Sequence, residues 1–79
     1  MKAIEVAVGE VVRKYREKSG LSQEEFAAVA GVHRTYISSI ELGKVQISIA
    51  VAEKMSAALG IPLSRIFRDV ERLRDDAAS

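Results

Sequence analysis

Residues 21–44 read LSQEEFAAVAGVHRTYISSIELGK, and the order of small, polar and apolar residues along them decides the fold. Ser22 followed by Glu25 is a capping box: the hydroxyl takes a backbone N–H and the carboxylate reaches back to the chain before the helix. It predicts a short helix over 22–30, ending at Ala30–Gly31. Gly31 permits the positive φ of a tight turn. Another helix is expected over 33–42, stopped by Gly43, and small Ala27 lets the two approach closely. Two short helices joined by three or four residues that include a glycine fit a helix-turn-helix at about 22–42.

The second of these helices carries an unusual surface. On a wheel at about 100° per residue, Ile37 and Ile40 share one face and point inward. Thr35, Ser38, Ser39 and Leu42 cluster opposite, with Arg34 and Tyr36 on the flanks. A face meant only for water usually carries Glu and Lys, which are also better helix formers. Here the outward groups are short and varied in donors and acceptors, with one long cationic arm at the N-terminal end. Such a face suits base edges and phosphates in a DNA major groove. Glu41 falls near the inward side, costly for an unpaired carboxylate. Arg16 sits on the buried stripe of the first helix and is equally misplaced. The two are expected to form one buried ion pair tying the first helix to the third; the alternative is that both reach water at the helix rims.

The rest of the chain reads as helix almost throughout. Ile4, Val8, Val12 and Arg16 recur every fourth residue, joined by Val11 and Tyr15, which marks a helix over 3–19. Its end, RKYREK at 13–18, has the favourable charge for a helix C-terminus, and Gly20 supplies the stop. Ser48 can cap a helix over 48–59 that Gly60 ends, and Pro62 opens a last one over 62–75. VQISIAVA at 45–52 is ambiguous, because its alternation is also a strand signature. A lone strand has no partner inside this chain, so helix is favoured, with a strand paired between subunits as the alternative. Val45, Ile47, Ile49, Val51, Ile66 and Val70 exceed what one small core readily buries. A dimer interface on the fourth and fifth helices, at Ile47, Ile49, Val51, Ile66 and Val70, is therefore expected. Tyr15 and Phe67 read as core. The expected architecture is all-α: a single domain over 1–79, folded as a compact five-helix bundle.

Composition narrows the function classes. The 79 residues are near the lower end of what folds on one core without staples. Absence of cysteine removes disulfides and thiolate metal sites and fits a reducing cytoplasm. One histidine cannot anchor zinc alone. No apolar run approaches the roughly 18 residues of a membrane span, and MKAIEVAVGE is too short in its apolar part and too soon acidic for a signal peptide. The expectation is a soluble cytoplasmic chain with no metal, cofactor, membrane or evident small-molecule ligand. It is not expected to be an enzyme, since lone His33 has no Ser–Asp arrangement around it. Twelve basic residues against eleven acidic leave bulk charge silent on nucleic acid, so any such claim must rest on local geometry.

With SIAVAEKMSAALGI at 48–61, the opening stretch resembles the phage repressor and Cro-type helix-turn-helix family, also called the xenobiotic response element family, over about residues 8–67. The markers are Gln23 after Leu21–Ser22, Ala27, Gly31, Ile37, Ile40, Glu41, Gly43 and Leu59–Gly60. The chain length and the RTYIS–IE string look most like the controller proteins of restriction–modification systems. This resemblance implies a lambda-repressor-like bundle and a homodimer on a near-palindromic double-stranded DNA operator. Carried over by position, Arg34, Thr35, Ser38 and Ser39 would face base edges, with Arg34 suited to guanine O6 and N7. Gln23, His33, Tyr36 and Lys44 would hold phosphates. Two departures stand out: Leu42 replaces a common polar phosphate ligand, and Gln46–Ile47 replaces a frequent Asn–Pro. A bound dimer would occlude RNA polymerase or recruit it, autoregulating a restriction–modification operon. The rival readings are an antitoxin or adaptor that binds protein on the same fold, and an accessory subunit of a DNA-modifying enzyme.

Overall fold

The computed structural model describes residues 2–78 and, within them, five helices and no strand. They are α1 (Ile4–Lys18), α2 (Gln23–Ala30), α3 (Arg34–Glu41), α4 (Ile49–Leu59) and α5 (Leu63–Ala78). α1 packs against α3, α4 and α5, while α2 packs against α3 and α4. The all-α five-helix reading is borne out.

Local chemistry explains where each helix begins and stops. Ser22 Oγ accepts from Glu25 N at 3.0 Å, and Glu25 Oε1 accepts from Ser22 N at 2.9 Å, closing the capping box. The bond from the Ser22 backbone holds the Glu25 carboxyl below its ordinary pKa of 4.5. Because the folded value is the lower one, the box stabilises fully above that range and fades as pH falls below it. Gly31 takes φ 72° at the end of α2. The turn to α3 then spans 31–33, with Val32 N donating to Ala27 O at 3.0 Å.

The segment at 45–52 divides in two. Residues 45–48 are not helical, and α4 begins at Ile49. Ser48 Oγ caps it by accepting from Val51 N at 3.1 Å. A strand over the whole segment is excluded: residues 49–52 lie within the helix, and only residues 45–48 remain outside it.

Phe26, Ile37, Ile40, Met55, Ile66, Val12 and Val70 form the fully buried centre. Two of them correct the expected interface. Ile66 and Val70 are each 2% exposed and belong to the core of the single chain; lying on the face of α5 that meets the bundle, they are not available to a second subunit. Conversely, Phe67 is a surface residue, one position round the helix from Ile66, and Ile4 is 47% exposed although it shares the α1 stripe with Val8 and Val12. Tyr15 is half-buried, and its hydroxyl donates to Asp69 Oδ2, clasping α1 to α5. That hydrogen bond to a carboxylate raises the phenol's pKa.

Gly9 governs how closely α1 meets α3. A Cβ here would overlap the Ile40 carbonyl oxygen and stand 2.9 Å from that of Glu41. The two backbones therefore touch at the end of α3, a separation that only a residue without a side chain permits.

Candidate nucleic-acid interface

α3 is amphipathic in the sense the wheel requires. Ile37 and Ile40 are fully buried, while Arg34 and Thr35 are exposed and Ser38 and Ser39 half-exposed. Tyr36 is half-buried against the core, which anchors its ring and leaves part of its surface to solvent. Lys44 is exposed just beyond the helix, where its backbone N–H closes the last turn on Ser39 O at 3.0 Å. Leu42 is 60% exposed, an apolar side chain on the same solvent-facing end.

His33 starts this helix. Its Nδ1 accepts from Thr35 N at 3.4 Å, so a neutral ring carries its proton on Nε2. The side chain is exposed, leaving that N–H as a donor to an outside acceptor.

Beneath the face lies a polar knot. Arg16 Nε donates to Glu41 Oε2 at 2.6 Å and Nη2 to Glu41 Oε1 at 3.0 Å. Side-chain exposure is 11% for Arg16 and 3% for Glu41. Arg16 Nη1 also donates to Leu21 O at 2.8 Å, and Gln23 Nε2 to Glu41 Oε1 at 3.1 Å. One guanidinium thus joins the end of α1, the chain before α2 and the end of α3. Bonding to Glu41 raises the Arg16 pKa above its ordinary value, so the guanidinium stays charged. Among the described residues no buried side-chain polar atom lacks a partner, the condition under which a buried pair is tolerated.

A second surface is apolar. Ile4, Val8, Val45, Ile47, Ile49, Ala52 and Phe67 line a hollow of about 330 Å³, with Glu5, Gln46 and Ser48. Ile49 is 77% exposed, while Ile47 and Val51 are half-buried against the core. Of the expected interface residues, Ile47 and Ile49 lie on this hollow; Ile4, from the α1 stripe, and Phe67, expected in the core, complete it. No helix among the described residues is long and apolar enough to cross a membrane, and none of them group into a metal-binding cluster.

A helix-turn-helix family model matches residues 12–66. The control protein C.MunI of a Mycoplasma species is 49% identical over 73 residues, covering 91% of this chain and 99% of the relative. Among solved structures, the restriction-modification controller protein C.AhdI of Aeromonas hydrophila superposes with a TM-score of 0.77 at 32% identity, over 78% of this chain and 94% of that one. SinR, a master regulator for biofilm formation solved in complex with DNA, superposes at 0.72 with 36% identity, over 76% and 97%.

Proposed function

This chain belongs to the helix-turn-helix family and is a DNA-binding transcription regulator, and from that premise we propose that it works as a homodimer on a near-palindromic operator, controlling a restriction–modification operon that includes its own gene. The observation that carries the reading is α3, which roots Ile37 and Ile40 in the core and turns Arg34, Thr35, Ser38 and Ser39 outward. Similarity to the controller protein C.MunI over nearly the whole chain supports the operon.

In this reading Arg34 forks onto a guanine, and short Ser38 and Ser39 let the helix backbone sit close to the base pairs. Gln23, His33, Tyr36 and Lys44 hold phosphates and set the register. The apolar hollow with Ile4, Ile47, Ile49 and Phe67 is the dimer surface, flanked by Val51. A two-fold pair spaces its recognition helices by roughly 34 Å, one turn of DNA. Pairing also doubles the phosphate contacts, which matters for a chain whose net charge is only +1. The protein acts in the cytoplasm by binding, without catalysis or cofactor. Placed over a promoter it excludes RNA polymerase, and placed beside one it recruits it.

Two substitutions separate base reading from phosphate binding. Arg34→Ala is expected to weaken operator binding by about 1–3 kcal/mol and relax preference at one base position. Lys44→Ala should weaken binding to every sequence alike and flatten the salt dependence, since one fewer phosphate is neutralised. Titration of each variant against operator and scrambled duplexes at several salt concentrations checks both. An Arg34→Ala protein with unchanged sequence preference would place the reading surface elsewhere.

A further inference from the structure

Gln23 opens α2, yet its side chain is not left to solvent. Nε2 is engaged with Glu41, a residue that lies 18 positions on, at the far end of α3. An ionised carboxylate can only accept hydrogen bonds. The amide must therefore turn its nitrogen, not its oxygen, toward Glu41, so chemistry settles an orientation that shape alone leaves open. One N–H of Nε2 is used in this way. The other remains on a half-buried side chain at the start of a helix, where backbone N–H groups also lack partners within the helix.

The charge arrangement matters equally. A bare carboxylate one amide away from a phosphate would repel it, the more so where water is excluded. Arg16 removes that repulsion by neutralising Glu41 through two hydrogen bonds.

We propose that Glu41 is a positioning residue for DNA: it orients the Gln23 amide so that its second N–H meets a backbone phosphate, with Arg16 cancelling the charge that would otherwise oppose that contact. The proposal rests on the operator-binding reading above. Its consequence is mechanical. The phosphate grip at the start of α2 and the base-reading face of α3 are set by one buried group, so the two helices seat on the duplex as a unit. The ion pair thus has a binding role beyond holding α1 to α3.

A four-protein cycle tests this: the parent, Gln23→Met, the pair Arg16→Met with Glu41→Met, and all three together. Gln23→Met keeps the length and removes the donor. Replacing a buried ion pair by apolar residues of similar size is often neutral or stabilising, so the methionine pair removes the carboxylate from a folded domain. In the parent, Gln23→Met is expected to weaken operator binding about tenfold, the worth of one hydrogen bond to a charged acceptor. In the methionine-pair background the same change should cost less than about twofold, because the orientation it depended on is already lost. Equal losses in both backgrounds, or no loss in the parent, overturn the proposal. Should the methionine pair fail to fold, nuclear magnetic resonance of the unmutated chain decides it. One Gln23 side-chain amide proton should be protected from exchange before DNA is added, and the other should shift on binding operator. A Gln23 amide that ignores the operator overturns the assignment. A parent chain with no operator preference overturns the functional reading beneath it, a result distinct from equal losses in the cycle.

Discussion

Glu41→Ala is expected to destabilise the fold by about 3–5 kcal/mol, read from urea or thermal unfolding. The cause is the charge left behind. Arg16 would keep one bond to Leu21 O but lose both bonds to the carboxylate, with most of its guanidinium out of water. Gln23 loses its acceptor in the same step. For a domain of this size each kcal/mol lowers the melting temperature by roughly 4–8 °C, so the transition should fall by well over 10 °C. Against a total stability of about 5–15 kcal/mol for typical domains, this removes a large share. The operator sequence preferred by the surviving folded fraction should be unchanged, because Glu41 touches no base. A variant as stable as the parent would show that solvent already satisfies Arg16 and that the pair contributes nothing.

Gly9→Val is the second large effect, and its mechanism is overpacking rather than loss. The atoms it would strike are the backbone carbonyl oxygens of Ile40 and Glu41, which cannot move aside by changing rotamer. α1 and α3 must separate instead, loosening Ile37, Ile40 and Val12 together. Overpacking a core typically costs about 1–3 kcal/mol and sometimes more, and a β-branched side chain against backbone belongs at the upper end. Better helix propensity offsets less than about 1 kcal/mol of that. Gly9→Ala should show a smaller loss of the same sign. Because the displaced carbonyls are those ending α3, operator affinity should fall as well. Unfolding curves and DNA titrations on both variants check the order parent, alanine, valine.

What the sequence makes legible follows from rules that act within one helix. Ser22 with Glu25, Ser48, and the glycines at 20, 31, 43 and 60 signal helix ends by local chemistry, and with the α1 periodicity and Pro62 they give the five helices. Ile37 and Ile40 are three residues apart, so a wheel places both inward without knowing their neighbours. Arg16 and Glu41 stood out because each broke the pattern of its own helix with opposite charge.

Sequence and structure differ where a neighbouring helix decides. A stripe on α1 indicates which side faces the bundle but not how far the bundle extends along it, so Ile4 emerges at the uncovered end. The same blindness exchanged Ile66 and Val70 for Phe67: a wheel cannot tell which edge of an apolar arc a partner helix covers. Gly9 looks like any glycine tolerated within a helix, and its need appears only once α3 lies across it. The bond from Gln23 to Glu41 joins residues on different helices, and nothing in the sequence around Gln23 points to Glu41 as its partner.

The proposed function depends on α3 presenting a base-reading face to duplex DNA. Its most direct test is selection of bound fragments from a random duplex library by the purified chain, repeated from low to physiological salt. The expected result is a two-fold-related pair of half-sites about one helical turn apart, bound about a thousandfold or more tighter than random DNA, with affinity falling steeply as salt rises. Recovery of no common sequence, or equal retention of every duplex at all salt concentrations, would contradict it.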